Sequence, residues 1–156
     1  MKIGVMSDSH GDQAAVKKAV AAAGQVDLWL HAGDYSQDVI KLSQSGVEVI
    51  AVAGNCDGAA NAKPDEFITL MDKKIWLTHG HRVNVKHGHQ ELIWWAKHYE
   101  VDIVIFGHTH IPEVKSVHDL LIVNPGSVAK PRWGYPTIAV LEIANQTVNA
   151  QIIEII

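Results

Sequence analysis

The chain has 156 residues, a length that predicts one domain over residues 1–156 able to bury about two thirds of its unfolded surface without disulfide or metal. Thirteen Lys and Arg stand against 17 Asp and Glu, a net −4 that excludes a basic surface for stable nucleic-acid binding. The one cysteine, Cys56, excludes an internal disulfide and suits a reducing compartment, and the short apolar runs predict no leader, no membrane span and a cytoplasmic location.

Taken in chain order, residues 3–6 predict a strand and residues 12–23 a helix, whose apolar stripe of Ala15, Val16, Ala19, Val20 and Ala23 ends at Gly24. A strand over 26–30 follows. Ser36 is read as the N-cap of a second helix that stops at Ser45 and Gly46, before a buried strand over 47–52. Residues 59–64 read as a connector, and 67–70 with 75–78 as a hairpin around Asp72 and Lys73. The helix over 91–99 places Leu92, Trp95 and Ala96 on one face, with Trp94 at its edge. A buried strand over 102–106 comes next, then antiparallel segments at 114–117, 121–124, 137–143 and 148–155. The pattern is βαβαβ followed by hairpins, with one helix between them.

Five of these strands end in polar clusters: Asp8-Ser9-His10, Gly33-Asp34, Gly54-Asn55-Cys56-Asp57, Thr78-His79-Gly80-His81 and Gly107-His108-Thr109-His110. Ligands of open α/β sheets gather at the carboxyl ends of strands, so the five loops are expected to converge. Asp8, His10, Asp34, Asn55, His79, His108 and His110 offer oxygen and nitrogen donors suited to divalent first-row metals. Seven donors exceed the need of one open site but suit two metals roughly 3.5 Å apart that share a carboxylate.

With these clusters and the later Asn124-Pro125-Gly126-Ser127 segment, the chain resembles the calcineurin-like metallophosphoesterases, in their small YfcE-type phosphodiesterase branch. The resemblance implies an α/β four-layer αββα sandwich with mixed parallel and antiparallel sheets. It also implies that Asp8, His10 and His110 hold one metal, that Asn55, His79 and His108 hold the other, and that Asp34 bridges them. The expected cofactors are two divalent ions, manganese first, with iron, nickel or zinc as the other options. The implied chemistry is in-line attack on phosphorus by a metal-bridging hydroxide. Two such ions, two aspartates and a hydroxide sum to a small positive charge, which a diester monoanion neutralises and a monoester dianion overshoots. Small or flexible phosphodiesters are therefore the expected partners, with Arg82 and Arg132 as nearby cations able to alter that balance, and a homo-oligomer is compatible with the sequence.

Three further residues are read as catalytic candidates: Cys56, Asp57 and His81. Cys56 stands where the family more commonly has a histidine that protonates the leaving group; a thiol of pKa near 8.5 is a poorer acid. A structural thiol and a zinc ligand are its other readings. Asp57 resembles the family position that orients the adjacent asparagine or the acid, and a solvated turn is its alternative. His81 is read as a phosphate-side contact or a support for His79. Ser127 is either a turn residue or a phosphate contact, and His31, His87, His89, His98 and His118 are assigned to the surface or to ordinary packing. Two rival functions stand beside diester hydrolysis: a protein-interaction scaffold like the retromer subunit of this fold, and a phosphomonoesterase.

Overall fold

Residues 1–58 and 62–156 are described in the computed structural model; residues 59–61 of the predicted connector lie outside the described residues. The first sheet takes its parallel centre from β1 (Lys2–Met6), β2 (Leu28–His31) and β3 (Glu48–Ala51), joined through helices α1 (Gln13–Ala23) and α2 (Val39–Ser43). The second contains β4 (Asp65–Leu70), β5 (Lys73–Thr78), β6 (Ile103–Ile105), β7 (Pro112–Val117) and β8 (Leu120–Pro125), with α3 (Gln90–His98) between β5 and β6. The chain then returns to the first sheet as β9 (Thr137–Ala144) and β10 (Thr147–Glu154). The strand orders are β10-β9-β1-β2-β3 and β4-β5-β6-β8-β7.

Alternation along the central strands explains the layering. Ile3, Val5, Leu28 and Leu30 face Ile75, Leu77, Ile103, Ile105 and Val123 of the opposite sheet. The intervening Met6 and Trp29 turn outward to Val16, Ala19 and Ala23 of α1, while Trp76 and Val104 turn outward to Leu92 and Ala96 of α3. Both faces of each strand are thus buried, which is why these segments read as continuous apolar runs rather than as clean alternation. Burial of each such Leu or Ile stabilises the fold by about 1.5–3 kcal/mol. The result is the four-layer αββα arrangement that the resemblance implies. Trp94 is 59% exposed, as its edge position predicts.

Several details differ from the sequence reading. β8 is not confined to a hairpin: it pairs antiparallel with β7 on one side and parallel with β6 on the other. The second helix shrinks to Val39–Ser43 behind a 3-10 turn, Ser36–Asp38, and its N-cap is Asp38. The Asp38 carboxylate makes no capping bond because it accepts instead from Ser9 Oγ and the Gly11 N–H. No helix among the described residues is long and apolar enough to cross a membrane.

These two sets of parallel strands, β1-β2-β3 and β5-β6-β8, end at one edge of the sandwich, where their loops interlock. The Asp8 N–H donates to Gly33 O at 3.0 Å, Gly107 N–H to His79 O at 3.0 Å, and His108 N–H crosses to Asp8 Oδ2 at 3.1 Å.

Candidate metal centre

Asp8 sits at the middle of this edge, fully buried. Its Oδ2 is occupied by Ser7 Oγ–H at 2.6 Å and His108 N–H at 3.1 Å. Its Oδ1 is buried and makes no hydrogen bond, although Nε2 atoms of His110, His79 and His10 lie 3.2, 3.8 and 4.0 Å away. His10 Nε2 is likewise buried without a partner. Asp34 Oδ2 lies 3.4 Å from His79 Nε2 and 3.8 Å from His10 Nε2, between the two imidazoles. A buried carboxylate oxygen and a ring nitrogen left unbonded each forfeit a hydrogen bond, which natural interiors rarely tolerate. A cation among them would satisfy both, so the donor set fits a metal.

Among the described residues, three groupings have donor atoms mutually within 4.8 Å: Asp8, His10 and His110; Asp8, Asp34 and His79; and His10, Asp34 and Cys56. The first is the set expected for one ion. Of the second expected set, His79 Nε2 lies 3.0 Å from Asn55 Oδ1, while the His79 and His108 rings lie 5.0 Å apart. Asp8, His10 and Asp34 each belong to two of these groupings, so the three share one crowded centre.

Supporting contacts fix the imidazoles. His79 Nδ1–H donates to Ala32 O at 2.7 Å, and His110 Nδ1–H to Lys130 O at 2.6 Å, which leaves each Nε2 aimed inward. Five of the seven candidate donors, Asp8, His10, Asp34, His108 and His110, hold left-handed backbone with φ between 47° and 68°. Such non-glycine geometry is uncommon and costs on the order of 1–3 kcal/mol per residue where it is not overdetermined by its surroundings. Glycine is required where the backbone passes these groups: a Cβ on Gly54 would meet Asp34 Oδ1, and one on Gly107 would meet Ser7 Oγ.

The proton affinities follow from this crowding. Burial would lower His79, but the hydrogen bond and charge of Asp34 and the charge of Asp8 outweigh it and raise it above 6.5. For Asp34, burial raises the carboxyl, yet His79 and the Cys56 N–H together hold it well below the usual carboxylate range. His110 is raised chiefly by the Asp8 carboxylate beside it, whereas burial and the neighbouring His79 push His108 down to about 4.

Cys56 is exposed; its N–H donates to Asp34 Oδ1 at 2.9 Å, and its thiol receives the Asn55 amide N–H at 3.5 Å. Burial of the sulfur and the Asp34 charge raise its pKa. Asp57 joins two loops: Oδ2 accepts from Gly54 N–H at 2.6 Å and Asp34 N–H at 3.0 Å, and Oδ1 from Tyr35 N–H at 2.9 Å. His81 is half-buried, its ring 5.4 Å from that of His79, with Nδ1 buried and unbonded. Ser127 Oγ donates to Asp8 O at 2.8 Å and accepts from Ala129 and Lys130, which gives it the architectural contacts of a turn residue. Arg82 is exposed and paired with Asp65 at 3.1 Å.

Sequence reasoning missed a buried chain behind the centre. His31 is fully buried; its Nδ1 accepts from Gly33 N–H at 3.1 Å, so Nε2–H donates to Ser9 Oγ at 3.0 Å, and Ser9 in turn donates to Asp38. This ties the Asp8–His10 loop to the Asp34 loop. The only available signal was the position of His31 just before Ala32-Gly33-Asp34. Of the other histidines set apart, His87, His98 and His118 are exposed, and His89 pairs with Glu113 at 3.2 Å.

Residues 1–146 match the Calcineurin-like phosphoesterase superfamily domain. The chain belongs to that superfamily. It is 33% identical to Phosphodiesterase MJ0936 of Methanocaldococcus jannaschii over 99% of this chain and all of the relative, and 28% identical to Phosphodiesterase YfcE of Escherichia coli over 72% of this chain and 66% of that one. A predicted phosphoesterase from Streptococcus pneumoniae superposes with a TM-score of 0.82 at 30% identity, covering 98% of this chain and 88% of the other. Vps29 of Entamoeba histolytica has a TM-score of 0.77 at 24% identity, covering 99% of each chain, a likeness of fold. As a superfamily member the chain is a metal-dependent phosphoesterase, with divalent metal implied by the family and a cluster able to hold it.

Proposed function

We propose that the chain is a dinuclear phosphodiesterase acting on small or flexible diesters, with Asp8, His10 and His110 at one ion, Asn55, His79 and His108 at the other, and Asp34 shared. The observation that carries this reading is the unbonded pair Asp8 Oδ1 and His10 Nε2 among three imidazoles, with Asp34 Oδ2 lying between His10 and His79. Two divalent ions, manganese first, would supply an acidified water and a clamp on the phosphoryl oxygens.

The chain's own residues hold that arrangement. Asp34, kept ionised by His79, presents a permanent anion. Asp57 holds the Asp34 and Gly54 loops in register, which makes it a positioning residue. The Cys56 thiol, with its raised pKa, keeps its proton at neutral pH and is a candidate donor for a departing oxygen; alternatively, its place beside Asp34 and His10 suits a metal ligand. His81, half-buried with its ring 5.4 Å from that of His79, serves as a support for that imidazole. Two sheets share the centre, so residues 1–156 work as one domain. The unbonded buried donors suit a bound ion, and the diester reading gives that ion a use.

Anomalous diffraction from manganese-soaked crystals tests the assignment. Two peaks roughly 3–4 Å apart, the separation of two-metal hydrolases, are expected; a single peak at saturation overturns the dinuclear reading. Turnover of p-nitrophenyl phosphodiesters above the matching monoester tests the substrate class.

A further inference from the structure

The segment after Ser127 is tied to the metal centre yet lifts two large aromatic side chains into solvent. At its base, Ser127 Oγ bonds Asp8 O at 2.8 Å and Lys130 N–H at 2.8 Å, and Val128 N–H donates to Ser7 O at 3.3 Å. Further along, Lys130 O takes the His110 Nδ1–H at 2.6 Å and Arg132 N–H donates back to His110 O at 3.1 Å. Pro131 and Pro136 stiffen the segment, and the Pro136 carbonyl is held by Ile155 N–H at 2.8 Å. Within this braced loop Trp133 is 68% exposed and Tyr135 55% exposed, and the Arg132 guanidinium lies 5.9 Å from the Trp133 ring centroid, within cation–π range.

Neither aromatic contributes to the three apolar clusters of the core. Trp133 lies one peptide unit, roughly 3.8 Å between Cα atoms, beyond the residue that bonds His110. A solvent-facing indole beside an arginine, on a loop whose backbone is bonded to a candidate metal ligand, has the composition of a stacking platform for a flat ring attached to an anion. Resting on the diesterase reading above, we infer that Trp133, with Arg132 at its side, forms a subsite for a planar aromatic group esterified to the phosphate, on the ester arm that is not expelled. An aryl ring and a nucleobase share that chemistry.

The test uses metal-loaded protein and three diesters with one leaving group, p-nitrophenol, whose second arm is methyl, phenyl or 5′-thymidyl. The wild type should show a lower KM for the ring-bearing arms than for methyl. Trp133→Ala should cut that ring-to-methyl advantage about 5- to 100-fold, the range of single-base stacking, while Trp133→Phe retains most of it. Trp94→Ala, an exposed tryptophan on α3, should leave the ratio unchanged. An advantage for thymidyl alone assigns the ring to a nucleobase, and one for phenyl as well assigns it to any aryl group. Equal KM values for all three arms in the wild type, or an unaltered ratio in Trp133→Ala, overturn the subsite while turnover itself leaves the diesterase reading intact. Should no diester be turned over, calorimetric binding of phenyl phosphate against methyl phosphate decides the subsite by the same ratio, and only the diesterase reading falls.

Discussion

Left-handed non-glycine backbone occurs at both ends of the sandwich, for opposite reasons. At the end away from the metal centre it forms the tips of hairpins: Met71 and Asp72 join β4 to β5 with φ of 46° and 68°, and Asn145 and Gln146 join β9 to β10 with 51° and 66°. Two-residue loops of type I′ take positive φ at both positions to match strand twist, and the residues there are exposed. At the other end, Asp8, His10, Asp34, His108 and His110 carry the same conformation on buried or half-buried side chains that converge on a common point. The dihedral angle is shared, but in one region it serves connection and in the other it aims donor atoms. Positive φ therefore marks function only when it coincides with buried, convergent polar groups.

The comparison breaks most visibly at Asp34. Asp34→Ala should remove both metals and reduce hydrolysis to background, while His110→Ala weakens one site first; metal content by atomic emission alongside turnover checks both. Metal-saturated Asp34→Ala that remains active refutes the shared carboxylate.

Cys56→His separates proton donation from ligation at the same rim. Replacing the thiol with an acid of pKa near 6.5 should raise rates on alkyl diesters by about 10²-fold and leave activated aryl diesters nearly unchanged. Equal gains on both exclude leaving-group protonation as the role of this position, and metal loss in a folded Cys56→Ala makes the sulfur a ligand.

pH resolves the rim more finely. His79 and His110 are raised above 6.5 in the metal-free fold, so an incoming ion competes with protons there at higher pH than at an ordinary imidazole, whereas at His108, near 4, the competition ends at lower pH. Apparent metal affinity should fall as pH drops through the raised values, approaching tenfold per unit for each proton displaced, and level off above them. Titration calorimetry in buffers of different ionisation enthalpy counts those protons. The same two imidazoles contribute stability to the metal-free protein that is complete below 6.5 and lost as pH rises through their raised values, so alkalinity weakens the empty fold while favouring loading. Affinity independent of pH between 6 and 8, roughly the range where imidazoles titrate, contradicts this assignment.

The smallest effect belongs to the far end. Asp72→Gly suits a left-handed turn position and should change stability by no more than about 1 kcal/mol, in the stabilising direction, with metal content unaltered. Urea unfolding monitored by far-UV circular dichroism checks it, and loss of metal in this variant removes the distinction between the two ends.

The strands and the five polar loops were legible because each buried strand is an unbroken apolar run closed by glycine and polar residues. Pairing partners were less so. Val123 and Ile122 have the same β-branched character whether their neighbour is parallel or antiparallel, and β8 finds β6 only through contacts distant in sequence. The candidate donors were visible through their side-chain chemistry, but their backbone strain was not, since Asp and His give no signal comparable to glycine. His31 was assigned to the surface or to ordinary packing because its partners, Ser9 and the Gly33 N–H, are ordinary residues until the loops meet.

The candidate donors are divided between the two sheets: Asp8, His10, Asp34 and Asn55 follow strands of one, and His79, His108 and His110 follow strands of the other. A metal bound by both groups fastens the open rim of the sandwich, because the sheets cannot separate there without surrendering it. Occupancy and thermal resistance are then linked quantities: an ion at 100 times its dissociation constant adds about 2.7 kcal/mol to the folded state. The melting temperature should climb with metal concentration, and chelation should loosen the amides of β1 and β5 in hydrogen exchange together rather than one sheet at a time.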